Sequence, residues 1–102
     1  MPVIMKQVMP AGVPMAMLDA VTEEMGVDSN PPAGMLVHTH YEQDGQAHIL
    51  DVWETAEDHE RFVESRLRPA MAKVAEAQGF DLAAAGSPDV IFTEVHRAVR
   101  GA

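Results

Sequence analysis

Two short runs of this sequence carry residues of the right type and spacing for proton transfer. His38 and His40 lie in Gly34-Met35-Leu36-Val37-His38-Thr39-His40-Tyr41, Asp51 and Trp53 lie in His48-Ile49-Leu50-Asp51-Val52-Trp53, and Asp44-Gly45 stands between the runs. Asp-Gly between two strand-like segments specifies a two-residue hairpin with both central residues at positive φ. That turn sets Gln43 opposite Gln46, Tyr41 opposite His48, His40 opposite Ile49, His38 opposite Asp51 and Leu36 opposite Trp53. Alternation then gathers Leu36, His38, His40, Ile49, Asp51 and Trp53 on one face. Met35, Val37, Thr39, Tyr41, His48, Leu50, Val52 and Glu54 take the other. A carboxylate beside an imidazole fixes its tautomer, as a general base requires. His38 and Asp51 are therefore the candidate catalytic pair. Trp53 lies one step along the same face and completes the constellation. The plainer reading is a hydrogen-bonded pair that only orders the sheet.

The remaining histidines say less. His38-Thr39-His40 puts two imidazoles on one face about 7 Å apart, a weak metal-binding pattern without a placed third ligand, so no metal is expected. His59 falls on an apolar helix face, as a core-edge histidine or a substrate contact, and His96 on the last strand is a second substrate-contact candidate. His48, beside the turn, reads as exposed. Seven of the eight methionines fall within the first 35 residues and read as core and dimer packing. Glu23, Glu24, Glu57, Asp58, Glu60 and Glu64 read as solvated helix faces.

The elements that position these residues follow from local signals. Val3–Val8 is a strand stopped by Met9-Pro10-Ala11-Gly12, and Pro14 opens a helix closed by a left-handed Gly26. Thr55-Ala56-Glu57-Asp58 starts a second helix whose apolar face holds His59, Phe62, Val63 and Leu67, with a break or kink at Pro69 and an end at Gly79. Val90–His96 is the last strand. The order β-α-β-β-α-β predicts an α+β, ferredoxin-like fold, a four-stranded antiparallel sheet with both helices on one side. The second and third strands are apolar on both faces, and two helices cover only one. A second copy of the chain is the expected cover, hence a homodimer.

Composition bounds the partners. The 102 residues predict one domain spanning 1–102. Seven Lys and Arg against sixteen Asp and Glu give a net charge of −9, which argues against nucleic acid and against anionic membrane surfaces. The absence of cysteine removes thiolate, iron–sulfur and disulfide chemistry. The uncharged run from Val8 to Leu18 holds Pro10, Gly12 and Pro14 and is too short to span a membrane, so a cytoplasmic protein is expected.

The element order, with Gly34-Met35-Leu36-Val37-His38-Thr39, Asp51-Val52-Trp53-Glu54-Thr55 and the Phe62 to Leu67 helix face, resembles the dimeric α+β-barrel superfamily and its small antibiotic-biosynthesis-monooxygenase-like members. The resemblance implies two sheets closing face to face as a barrel, with a ligand pocket between sheet and helices in each subunit. It implies a cofactor-independent monooxygenase-like protein acting on a small aromatic or polyketide-like substrate, or else a non-catalytic ligand-binding or structural barrel. Oxygenase branches line the pocket with a tryptophan at the position of Trp53, often place a histidine near His96, and tend to use a first-strand asparagine where this chain has Lys6 and Gln7. Haem-degrading members carry an axial histidine roughly ten residues past the tryptophan. That point falls near Val63, with His59 a turn earlier, so the resemblance points away from haem and to no cofactor.

Overall fold

The protein is described from a computed structural model covering residues 2–86, 88–99 and 101. Its elements are β1 (Val3–Val8), α1 (Met15–Met25), β2 (Met35–Gln43), β3 (Gln46–Trp53), α2 (Ala56–Phe62), a π-helical turn (Val63–Leu67), α3 (Arg68–Gln78), α4 (Leu82–Ala85) and β4 (Asp89–Glu94). The strands form one antiparallel sheet in the order β2-β3-β1-β4. This is the ferredoxin-like α+β arrangement.

Local chemistry sets most boundaries where the sequence signals put them. Gly26 ends α1 at φ +66, returning its N–H to the carbonyls of Thr22 and Glu23. Asp44 and Gly45 turn at φ +53 and +76, and Gln43↔Gln46, Tyr41↔His48, His40↔Ile49 and His38↔Asp51 pair as the turn requires. The register then slips. A β-bulge at Leu36 makes Met35, not Leu36, the partner of Trp53, so Met35 joins the helix-facing core. A turn signal fixes register only as far as the ladder stays regular.

Pro69 neither breaks nor ends its helix. Lacking an N–H and crowding the carbonyl four residues back, it is accommodated by widening the preceding turn, where the Arg68 N–H reaches back five residues to the Val63 carbonyl. Asp81 caps a short α4 through bonds from Ala83 and Ala84 N–H, between the end of α3 at Gly79 and β4. β4 ends at Glu94, two residues before His96.

The helices lie on the sheet face that carries Met5, Trp53 and Asp51, and bury Met17, Leu18, Val21, Phe62 and Val74 there. Ile4, Val8, Val37, Leu50, Val52 and Ile91 occupy the opposite face by alternation, with Val37 at 47% and Ile91 at 60% exposure. β4 is exposed along its whole length. Among the described residues no helix is long and apolar enough to cross a membrane.

Candidate functional site

The Asp44-Gly45 turn carries Asp51 to the middle of β3, beneath the helices, where it is 1% exposed. A buried carboxylate needs donors at both oxygens. His38 Nδ1 donates to Oδ1 at 2.8 Å, and the Trp53 indole N–H donates to Oδ2 at 3.2 Å. With hydrogen on Nδ1, the remaining lone pair of a neutral His38 is on Nε2. His40 Nε2 lies 2.9 Å from that atom, the two rings nearly perpendicular. His40 also reaches α1: its Nε2 is 3.2 Å from Thr22 Oγ1, and its Nδ1 is 3.5 Å from the exposed Asp19 carboxylate. Burial first, and His38 second, push the His40 imidazole below the ordinary histidine range, while Asp19 and Asp51 pull the other way.

These groups form the polar end of a cavity of about 70 Å³ between sheet and helices. Gln7 and Thr22 join His38, His40 and Asp51 there; Met5, Met9, Met17, Met25 and Met71 form much of the remaining wall, completed by α4 and the segment after it. Several waters fit, at roughly 10–15 Å³ each, but the space is far below the several hundred Å³ of a typical small-molecule pocket. A larger ligand requires the wall to yield, and the unbranched methionines supply that adaptability. Met5, Met9 and Met17 are buried in the core, as the sequence leads one to expect, and together with Met25 and Met71 they also line the cavity.

The candidate residues separate on inspection. His38 and Asp51 come together as the hairpin dictates. His59 is buried, lines the cavity, and stands edge-on to Trp53 and to Phe92, each at 5.4 Å between ring centres. Burial pushes it below the ordinary histidine range. Trp53 does not line the cavity. It is completely buried among Met5, Val27 and Phe62, behind the cavity wall, with its indole N–H on Asp51 and its ring against His59. His96 lies exposed beyond the end of β4, outside the cavity. His48 is half-buried and stacked on Tyr41 rather than exposed, with its Nδ1 enclosed and unpartnered. On β1, Gln7 faces the cavity and Lys6 faces solvent.

Sequence reasoning missed the roles of His40, Thr22 and Asp19. The period-3 spacing of Asp19 and Thr22 on α1 was the available signal; it puts both on one helix face. Among the described residues no group of three or more His, Asp or Glu is placed to hold a metal ion. The His38–His40 pair lacks a third ligand, because Asp51 Oδ1 is occupied by His38 itself.

No family model and no curated protein matches the chain. Solved structures do match over nearly its whole length. SnoaB, a cofactor-independent oxygenase from Streptomyces nogalater, is 14% identical with 98% of both chains covered and a TM-score of 0.62. The monooxygenase ActVA-Orf6 of Streptomyces coelicolor, solved with nanaomycin D, is 21% identical over 98% of this chain and 92% of its own, TM-score 0.52. The chain shares the ferredoxin-like α+β fold of these two proteins. The same fold also serves other chemistry: the haem degrader MhuD of Mycobacterium tuberculosis is 18% identical over 98% of this chain and 100% of its own, TM-score 0.54. Identities this low establish the architecture alone.

Proposed function

We propose that this protein is a cofactor-independent monooxygenase-like enzyme in which His38, oriented by Asp51, deprotonates a small aromatic or polyketide-like substrate. One observation carries the reading: a buried carboxylate holding a half-buried imidazole at 2.8 Å forms the polar end of a largely apolar cavity. The substrate is a phenol or enol with an activated ring methylene. His38 Nε2 takes a proton, the anion gives an electron to dioxygen, and recombination forms a carbon–oxygen bond as a peroxide. Loss of a second C–H proton with cleavage of the O–O bond leaves a carbonyl, and the other oxygen departs as water. The balance is CH2 + O2 → C=O + H2O, in which the substrate supplies every electron and no external reductant enters. Trp53 acts from behind, holding Asp51, and His59 supplies a neutral aromatic edge to the cavity wall. His96 takes no part.

The small cavity volume favours a second reading, a non-catalytic barrel that binds a small ligand or none. Oxygen uptake separates the two. With a tricyclic phenol bearing an activated methylene, the metal-stripped protein is expected to consume one dioxygen per substrate. His38→Gln is expected to lose on the order of 100-fold or more. Equal uptake with and without protein, or an unaffected variant, leaves the ligand-binding reading.

A further inference from the structure

His38 borders the cavity, yet the nitrogen a base would use does not face empty space. Its lone pair on Nε2 meets His40 Nε2 at 2.9 Å, and two nitrogens at that distance require one hydrogen between them. His38 gives its own hydrogen to Asp51, so His40 supplies this one. Burial first and the neighbouring His38 second push the His40 imidazole below the ordinary histidine range, against the pull of Asp19, whose carboxylate lies 3.5 Å from the ring's other nitrogen. The same His40 nitrogen lies 3.2 Å from Thr22 Oγ1. The Thr22 hydroxyl already donates to the Leu18 carbonyl at 3.0 Å, so its oxygen stands free as an acceptor. One N–H has two acceptors within reach, and a small swing of the ring exchanges them.

Resting on the reading of His38 as the base, we infer that His40 is a placeholder on that base. In the empty protein its N–H covers His38 Nε2; an entering O–H donor takes that position, and His40 turns to Thr22. His40 is thus a positioning residue acting through His38. The arrangement also selects ligands. A phenol or enol brings its own hydrogen to His38 and can replace His40. An ether of the same shape brings none and leaves the base covered.

The test compares phenol with anisole, titrated calorimetrically into the full chain. His40→Ala uncovers the base, and phenol affinity is expected to rise relative to anisole by roughly 10-fold. Thr22→Val leaves the displaced N–H without an acceptor, and phenol affinity is expected to fall by about 10-fold with anisole unchanged. These opposite signs are what a merely structural role for His40 would not produce. An unchanged phenol-to-anisole ratio in both variants, or the same direction of change in both, overturns the placeholder. If His38→Gln alone abolishes the preference for phenol, the base reading stands while the placeholder falls. Equal binding of phenol and anisole by the parent protein sinks both. Should His40→Ala fail to fold, the phenol-specific loss in Thr22→Val remains required.

Discussion

At the scale of single residues, the site is a chain of donors and acceptors that permits few exchanges. Asp51 holds one donor on each oxygen, from His38 and from Trp53. Trp53→Phe strips the Oδ2 partner and leaves part of the buried indole's space unfilled, and is expected to destabilise by more than the roughly 1–3 kcal/mol of the lost donor alone, checked by denaturant unfolding. His59 offers a pH test. Its folded-state affinity for protons is lowered by burial, so the unfolded chain binds the extra proton more readily. Its contribution to stability is therefore fully present above the ordinary histidine value and shrinks as pH falls below it. Thermal melting from pH 7.5 to 5.0 is expected to show a smaller loss in His59→Phe than in the parent. The His38–Asp51 pair was legible in the sequence because Asp-Gly fixes a register. The depth of Trp53 was not, since alternation reveals a residue's face but not what lies upon it. His40 near a strand end reads as solvated until α1 is laid across it with Asp19 and Thr22.

At the scale of elements, two glycines separate steric from conformational need. Gly34 opens β2 at φ +87, and a Cβ there would lie 2.4 Å from the Asp58 carboxylate at the start of α2. Gly45 has φ +76 and open space around it. Gly45→Ala meets only the cost of a left-handed alanine, roughly 1–2 kcal/mol, whereas Gly34→Ala must also push α2 away from the sheet. Gly34→Ala is expected to unfold at clearly lower denaturant concentration than Gly45→Ala. Helix caps and the hairpin were readable because each is set by a few adjacent residues. The bulge at Leu36 and the π-turn before Pro69 were not, because both arise where local pattern meets tertiary packing.

At the scale of the whole molecule, the sheet is covered on one side only. Val37 and Ile91 remain exposed on the other, and β4 is exposed along its length, although Phe92 meets His59 on the helix side. We propose that a second copy closes over this face, as apolar patches of this kind are rarely left to water. Sedimentation is expected to give twice the 11.1 kDa chain mass. Val37→Lys with Ile91→Lys is expected to return it to the single-chain value with the fold intact. A monomeric parent protein removes the barrel. The two-faced apolarity of β2 and β3 was visible in the sequence, while the small volume of the cavity was not, because side-chain volume between layers has no periodic signature.

The account's central claim is a working base at the polar end of an apolar cavity. The most direct measurement is the absorbance of 4-nitrophenol bound to the protein, whose anion and neutral forms differ in colour. At a pH where the free probe is mostly neutral, the bound probe is expected to show the anion band with the parent protein and the neutral band with His38→Gln. A probe that binds equally to both proteins and stays neutral in both would contradict the claim.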